Sequence, residues 1–290
     1  MLSALFRSLR PAQWVKNLFV LVPLVFAHRL DRFDLALRSA SAFVAFCAAA
    51  SAIYLLNDLR DREADRLHPV KRLRPIAAGR LGGGPALVAS LALAAGALVL
   101  AWTLGPGFSI CLGIYLALNI LYSLGLKRIV ILDVMTIAFG FVLRVEAGAL
   151  AIAVEVSSWL LLCTIFVALF LGFAKRRHEL ALQPTADSGT RAVLEHYNLT
   201  FVDQMINVVT ASTVVSYALY TVDPATAVRL GTRHLVATVP LALFGIFRFL
   251  FLLYQKTDSA SPTDAILHDP PFLVNLALWG VTVLALIYGF

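Results

Sequence analysis

A short polar segment inside an otherwise apolar chain carries the residues best suited to chemistry. It covers residues 57–79, NDLRDREADRLHPVKRLRPIAAG, and its oxygen-bearing side chains include Asn57, Asp58, Asp61 and Asp65. Each residue of an α-helix turns by about 100°, so these four fall on one face, within an arc of roughly 100°. Oxygens grouped in this way suit Mg²⁺, which keeps some waters and takes further ligands from a phosphate. The spacing predicts that all four residues bind Mg²⁺ and that the three aspartates are catalytic.

Cations follow the carboxylates at once, at Arg66, Lys71, Arg72 and Arg74. Pro69 disfavours the helical conformation at His68, so the helix should end there. Carboxylates followed by cations indicate a site for a metal-bound polyphosphate. The alternative is a solvated, salt-bridged loop at a membrane surface, which charged runs usually form. The one-faced spacing of the carboxylates favours the site.

The rest of the sequence has the composition of a membrane protein. Hydrophobic residues make up 60% of the 290 positions and charged residues only 14%. Long apolar runs recur along the whole chain, which predicts an all-α integral membrane protein forming a single domain over residues 1–290. The nine predicted spans are 15–28, 36–57, 86–104, 107–125, 129–154, 158–176, 202–222, 235–254 and 272–290. The first is short and contains Pro23, so a kink or tilt is expected there.

The distribution of lysine and arginine predicts the orientation in the inner (cytoplasmic) membrane. With the N-terminus in the cytoplasm, 17 of the 24 cations lie in cytoplasmic segments and 5 lie outside. This bias follows the positive-inside rule and places residues 57–65, hereafter the aspartate segment, at the cytoplasmic face. The net charge of +7 is therefore a matter of topology, and no nucleic-acid partner is expected.

Further polar residues near the cytoplasmic ends of the spans are candidates for binding phosphates. Tyrosine and lysine can bind a diphosphate oxygen, and arginine binds phosphate in a bidentate manner. A charge within a span is costly unless it is paired or faces a wet cavity, which favours a functional role for Arg144. Snorkelling lysines and positive-inside anchors remain alternatives for the cations. The predicted substrate-binding residues are Lys16, Asn17, Lys71, Arg72, Arg74, Tyr122, Lys127, Arg144, Lys175, Arg176 and Arg177.

No P-loop, dinucleotide-binding glycine motif or evident nucleophile occurs in the sequence. Metal ligands and cations without a nucleophile suit the transfer of a group from a diphosphate leaving group, in which the enzyme positions the reactants and stabilises the departing charge.

The pattern Asn57-Asp58-x-x-Asp61-x-x-x-Asp65 at the end of the second of nine spans resembles the UbiA superfamily of intramembrane prenyltransferases. The resemblance covers nearly the whole chain. It implies a bundle of nine helices around a central cavity open to lipid, with Mg²⁺ and a diphosphate at its cytoplasmic end.

The sequence departs from typical members after the sixth span. They carry a second aspartate-rich motif there, whereas this chain has AKRRHEL. Together with RPAQWVKN and YSLGLKRIVILD, this segment resembles the decaprenyl-phosphate phosphoribosyltransferase branch. The resemblance implies phosphoribosyl pyrophosphate as donor, a polyprenyl (decaprenyl) phosphate as acceptor and a product used for cell-wall arabinose. This donor carries a diphosphate and a 5-phosphate, and the acceptor carries another phosphate. The many cations of the sequence suit reactants with this much negative charge.

Three alternatives stay open at the level of sequence. The nearest is an aromatic prenyltransferase that uses a prenyl diphosphate. A transporter of a cation or a lipid phosphate would place its charges near the midplane of the membrane, whereas most charges here lie at one face. A non-catalytic scaffold would not need metal ligands on one face. The bilayer is an expected partner, and the sequence leaves a homo-oligomer open.

Overall fold

The computed structural model of the protein describes residues 2–182, 192–255 and 262–289. These residues form helices and connecting turns, with no strand among them. They divide into two compact units, one holding residues 2–156 and the other the described residues from 157 onwards. The single domain over residues 1–290 therefore stays a prediction.

The first unit contains the aspartate segment. Its α-helices are α1 (Leu2–Ser8), α2 (Val22–Phe26), α3 (Phe33–Arg60), α4 (Arg62–Leu67), α5 (Gly83–Leu104), α6 (Pro106–Leu124) and α7 (Leu132–Ala151). Its 3₁₀-helices are Pro11–Leu21, Lys71–Leu73 and Leu126–Arg128.

The second unit begins four of its six α-helices with a side-chain cap. Its α-helices are α8 (Ser158–Ala181), α9 (Leu199–Val222), α10 (Pro224–Leu230), α11 (Val239–Gln255), α12 (Pro262–Leu267) and α13 (Pro270–Tyr288), and its 3₁₀-helices are Ala192–His196 and Leu235–Thr238. Four of the α-helices follow a residue whose side chain accepts a hydrogen bond from the backbone N–H three positions on. These caps are Ser157, Asn198, Asp223 and Asp269. Such a cap stabilises a helix by about 1 kcal/mol.

Eight helices in the described part of the chain are long and apolar enough to cross a membrane: α3, α5, α6, α7, α8, α9, Leu235–Gln255 and α13. Large apolar side chains such as Trp102, Val99 and Val281 are exposed on them, as expected for surfaces that face lipid. The prediction of a helical integral membrane protein is confirmed.

The first predicted span, 15–28, corresponds to the shorter apolar segment Pro11–Phe26. Eleven of its residues form the 3₁₀-helix Pro11–Leu21 and five form α2. A 3₁₀-helix rises about 2.0 Å per residue and an α-helix about 1.5 Å, so the segment is about 30 Å long. This matches the hydrocarbon core of a bilayer, about 30 Å thick. A ninth crossing stays a prediction, and the extended geometry makes it compatible with the short length.

Helices α3 and α7 form the interior of the first unit. In their most apolar windows 61% and 72% of the residues are buried, against 22% for α5 and 28% for α6. The core shared by these four helices is rich in alanine, including Ala42, Ala45, Ala97 and Ala147. Small side chains let membrane helices approach closely, which allows van der Waals packing to stabilise their association.

Arg38 ties two of these helices together at the end opposite the aspartates. Its Nε donates to the carbonyl oxygen of Ala151 at 2.6 Å and its Nη2 to that of Leu104 at 2.8 Å. Carbonyl groups at helix C-termini lack partners within the helix and carry partial negative charge. The guanidinium therefore satisfies the ends of α5 and α7 simultaneously.

Gly148 marks the closest approach of the 3₁₀-helix Pro11–Leu21 to α7. A Cβ atom at this position would lie 2.0 Å from the carbonyl oxygen of Val20. The obstructing atom belongs to the backbone, so a side chain could be accommodated only if the 3₁₀-helix moved.

We expect Gly148→Ala to destabilise the protein by about 1–3 kcal/mol, since overpacking a dense core costs this much. The thermal unfolding midpoint of the purified protein in detergent measures the effect. Gly96→Ala in α5 is the matched control, because a Cβ at Gly96 meets no atom within 4 Å. Equal midpoints for the two variants would contradict the prediction.

Candidate active site

The aspartate segment lies where α3 ends and α4 begins. Asp61 separates the two helices, with φ −88° and ψ 9°. Helical hydrogen bonding nevertheless continues across it. The backbone N–H of Asp61 donates to the carbonyl oxygen of Asn57 at 2.9 Å, and that of Asp65 donates to the carbonyl oxygen of Asp61 at 2.8 Å. His68 has the extended conformation expected before proline and ends α4, which confirms the predicted helix end.

Arg74 links the first and last aspartates of the segment. Its Nη1 atom donates to Asp58 Oδ1 at 3.1 Å and to Asp65 Oδ2 at 2.6 Å. The two carboxylates are buried, with side chains only 3% and 5% exposed. The arginine supplies the positive charge that such buried carboxylates need.

The turn that brings Arg74 back to the aspartates is organised by His68. Its Nδ1 accepts hydrogen bonds from the backbone N–H groups of Val70 at 3.2 Å and Lys71 at 3.3 Å. Burial and the charge of Lys71 lower the pKa of His68 below its usual value. A lowered pKa keeps the imidazole neutral at pH 7, so Nδ1 remains a hydrogen-bond acceptor.

Arg10 is a second cation at Asp58 and comes from a distant part of the sequence. Its Nη2 lies 2.5 Å from Asp58 Oδ1, and its guanidinium lies 5.0 Å from the centroid of the Tyr54 ring. Asp58 Oδ1 therefore accepts hydrogen bonds from two guanidinium groups, one on each side of the aspartate segment in the sequence.

The last turn of α6 and the 3₁₀-helix Leu126–Arg128 supply partners to Asn57 and Asp61. Lys127 Nζ lies 3.6 Å from Asp61 Oδ2. The hydroxyl of Ser123 donates to Asn57 Oδ1 at 2.6 Å. The Asp61 side chain is 39% exposed, so it is the most accessible of the three carboxylates.

A buried polar network lies deeper in the first unit. The Nε of Arg144 donates to Asn17 Oδ1 at 2.8 Å, its Nη2 donates to the hydroxyl of Tyr115 at 2.9 Å, and its Nη1 donates to the Gly140 carbonyl at 2.8 Å. The guanidinium also lies 4.8 Å from the centroid of the Tyr115 ring. These contacts satisfy a charge whose burial in a membrane helix would otherwise be costly.

The cation run of the second unit is engaged in ion pairs of its own. Arg176 is 1% exposed and pairs with Glu179. Arg177 donates from Nε to Asp203 Oδ1 at 2.8 Å and stacks at 4.0 Å over the Tyr254 ring. Lys175 Nζ lies 4.0 Å from Glu179, and its side chain is 51% exposed. Of the three, Lys175 is the most accessible to a ligand.

The sequence also matches a known family. The model of the UbiA prenyltransferase family matches residues 18–183, more than half of the chain. The chain belongs to the UbiA prenyltransferase family. This confirms the family suggested by the aspartate pattern and its place after the second predicted span.

Curated relatives of this UbiA-family chain cover almost its whole length. A protein of Corynebacterium glutamicum named decaprenyl-phosphate phosphoribosyltransferase is 36% identical, and the match covers 99% of this chain and 87% of the relative. A protein of the same name from Mycolicibacterium smegmatis is 34% identical over 99% of this chain and 93% of the relative.

Solved structures of the family share the fold. A UbiA homolog from Archaeoglobus fulgidus bound to GPP and Mg²⁺ has a TM-score of 0.71 at 19% identity, covering 98% of this chain and 99% of the other. The same homolog bound to Cd²⁺ gives a TM-score of 0.67 at 17% identity.

The side-chain oxygens of the aspartate segment in this UbiA-family chain fit a divalent metal after a small rearrangement. Asp58 Oδ1 and Asp65 Oδ2 both contact one nitrogen of Arg74, at 3.1 and 2.6 Å, so they are at most about 5.7 Å apart. Two oxygens bound to one Mg²⁺ at about 2.1 Å are at most about 4.2 Å apart. In the described residues no three His, Cys, Asp or Glu side chains are arranged for metal binding. A relative movement of at most about 1.5 Å would therefore bring these two hard oxygen ligands to the required spacing.

The first unit brings together part of the predicted site. Asp58, Asp65 and Arg74 form one ion-pair cluster, and Asp61 contacts Lys127. Arg144 contacts Asn17 rather than an aspartate of the segment, so these two predicted residues stabilise each other. The remaining predicted residues of this unit, Lys16, Lys71, Arg72 and Tyr122, stay predicted ligands of the substrate.

Sequence reasoning missed several residues of the site. Arg10 and Ser123 contact the aspartate segment directly, and Tyr115 fixes Arg144. No short-range pattern marks them, because their partners lie 48, 66 and 29 positions away in the sequence. The position of Arg10 just before the first predicted span was the only feature of the sequence that could have marked it as a candidate site residue.

Proposed function

We propose that this UbiA-family chain transfers the 5-phosphoribosyl group from phosphoribosyl pyrophosphate to a polyprenyl phosphate such as decaprenyl phosphate and releases pyrophosphate. The observation that supports this most is the similarity, along 99% of the chain, to two proteins named decaprenyl-phosphate phosphoribosyltransferase. The product, polyprenylphosphoryl-5-phosphoribose, would serve as a precursor of cell-wall arabinose.

The aspartate segment is the proposed donor site. Its carboxylates and the amide of Asn57 would hold Mg²⁺, which acts as a Lewis acid on the departing diphosphate. Arg74 and Arg10 already lie at Asp58, so their remaining N–H groups are close enough to bind diphosphate oxygens. Lys127 at Asp61 adds a third cation. These residues position the donor and stabilise the charge of the leaving group.

The acceptor needs little activation because its phosphate is already an anion. The proposed ligands of this phosphate are Lys16, Lys127 and Arg144. Lys71 and Arg72 are proposed ligands of the donor's phosphates, as are Lys175, Arg176 and Arg177 in the second unit, and Tyr122 is a proposed ligand of the diphosphate. Within the first unit, Arg144 has a fixed orientation because Asn17 and Tyr115 hold it. A rigid cation loses little conformational entropy when it binds an anion.

The reaction is proposed to occur at the cytoplasmic face of the inner membrane, with the N-terminus in the cytoplasm. The excess of cations in the predicted cytoplasmic segments supports this orientation. Both Mg²⁺ and phosphoribosyl pyrophosphate would reach the aspartate segment from that side.

Purified protein with Mg²⁺, phosphoribosyl pyrophosphate and decaprenyl phosphate tests the proposal. We expect pyrophosphate release and a phosphoribosylated lipid, and we expect neither when a chelator removes the metal. In a parallel reaction a prenyl diphosphate and an aromatic acceptor replace the two substrates. A preference for the prenyl donor would overturn the proposed reaction in favour of an aromatic prenyltransferase.

A further inference from the structure

The carboxylates of the proposed donor site are neutralised by an equal number of cations. Asp58 contacts Arg10 and Arg74, Asp65 contacts Arg74, and Asp61 contacts Lys127. Among the described residues, these contacts join three negative side chains to three positive ones, so the charges of these six side chains sum to zero. A site that binds a bare divalent cation usually carries an excess of negative charge.

This balance has opposite consequences for a bare metal and for a metal bound to diphosphate. A bare Mg²⁺ would add two positive charges beside two guanidinium groups that share one carboxylate oxygen. Like charges held within one site repel each other strongly in a partly buried environment. A diphosphate brings several negative charges with the metal, and it offers oxygens to the guanidinium groups.

Arg10 is the member of this cluster with a strained backbone. Its backbone is in the left-handed conformation, with φ 56° and ψ 60°, which is unfavourable for a residue with a long side chain. Hydrogen bonds on both sides keep the chain in place: Ser51 donates to the Leu9 carbonyl at 3.0 Å and Trp14 Nε1 donates to Ser51 at 3.1 Å. Strained residues held in this manner are concentrated at functional sites.

We propose that Arg10 is a positioning residue that balances the negative charge of the aspartates. Because of this balance, the site binds the divalent metal together with the donor's diphosphate and not before it. This rests on the proposed function for the presence of a metal and a diphosphate. In thermodynamic terms, metal and diphosphate each raise the affinity of the site for the other, and Arg10 supplies part of that coupling.

Arg10→Asn separates this role from a structural one, because asparagine tolerates the left-handed backbone conformation but removes the charge. Mn²⁺ is the probe, and its binding to the full-length protein in detergent is followed by electron paramagnetic resonance. The affinity for labelled pyrophosphate is then measured at saturating Mn²⁺. We expect Arg10→Asn to bind Mn²⁺ alone roughly 5-fold more tightly and the Mn²⁺–pyrophosphate complex roughly 5-fold more weakly than the wild type.

Two further variants complete the test. Arg10→Lys should keep both affinities near those of the wild type because it retains the charge. Arg7→Gln removes the same charge from an exposed position three residues away and should change neither affinity. A fall in both affinities for Arg10→Asn would show that Arg10 only builds the site, and that result would overturn the inference. Unchanged affinities, or a wild type that binds no Mn²⁺ in either condition, would also overturn it.

The outcome is independent of the reaction assay. If Arg10→Asn binds Mn²⁺ alone more tightly and the Mn²⁺–pyrophosphate complex more weakly, but the wild type transfers no phosphoribosyl group, the inference stands and the proposed reaction fails. If it transfers phosphoribosyl while Arg10→Asn leaves both affinities unchanged, the proposed reaction stands and the role of Arg10 fails.

Discussion

Asp61→Asn is expected to lower kcat/KM for phosphoribosyl transfer by on the order of 100-fold or more. Losses of this size follow when a group that stabilises developing negative charge is removed, and here that group is the metal that Asp61 would hold. Asparagine keeps the shape of the side chain and one oxygen but removes the charge that holds the metal. The effect should be partly relieved by high Mg²⁺ concentrations, because a weakened site can be refilled by mass action.

Asp61 is the most informative of the three aspartates because the fold depends on it least. Its side chain is 39% exposed and its cation lies 3.6 Å away, whereas the side chains of Asp58 and Asp65 are at most 5% exposed and both contact Arg74. Removing either buried carboxylate would leave Arg74 short of a partner, which is strongly destabilising.

Glu63→Gln is the matched control for Asp61→Asn. Glu63 lies on α4 two residues later, is 77% exposed and pairs with Arg66 at 3.1 Å. The same loss of charge there should leave both turnover and the thermal midpoint unchanged, because exposed ion pairs contribute little. If Asp61→Asn retains wild-type turnover with an unchanged thermal midpoint, Asp61 does not bind the metal.

Local sequence was sufficient to predict the helices and the helix end at the aspartates. Apolar runs long enough to cross a bilayer were visible along the chain, and eight of them correspond to helices of the required length. The end of α4 at Leu67 followed from Pro69, whose ring restricts the residue before it. These features depend on neighbours within a few positions, and a single sequence contains that information.

Long-range contacts could not be predicted from the same patterns. The sequence marked Arg74 and Arg144 as phosphate ligands, but it did not indicate that Arg74 bridges two aspartates or that Arg144 bonds to Asn17. Nor did it indicate that Arg176 is fully buried against Glu179. Which cation meets which anion depends on how the helices pack, and a charged residue can be paired in many compatible ways.

The 3₁₀ geometry of Pro11–Leu21 was equally hidden from the sequence. A 3₁₀ run of this length is uncommon, because its hydrogen bonds are poorer than those of an α-helix. Packing onto α7 at Gly148 accompanies it here, since the Val20 backbone lies where a Cβ would be. The sequence predicted a short span with a kink or tilt at Pro23, but it did not predict the 3₁₀ conformation.

The proposed transfer should give a β-linked product from the α-linked donor. The ribose C1 loses a diphosphate and gains an oxygen of the lipid phosphate, and a single displacement from the opposite side inverts C1. A retaining route would need a nucleophilic side chain, and the three carboxylates of the site are poorly suited to that role. Each has a cation as its partner, and Asp58 Oδ1 has two, which lowers the nucleophilicity of the oxygen.

The configuration at C1 can be determined by NMR spectroscopy of the lipid product made with purified protein. We expect only the β anomer. Because the acceptor phosphate needs no deprotonation, His178→Ala and Glu179→Ala should each cost less turnover than Asp61→Ala. Loss of the Glu179 partner of Arg176 is expected to lower the thermal midpoint, so turnover should be compared at a temperature where every variant is folded. An α-linked product would rule out the single inverting displacement and would point instead to a covalent intermediate on a residue of this chain.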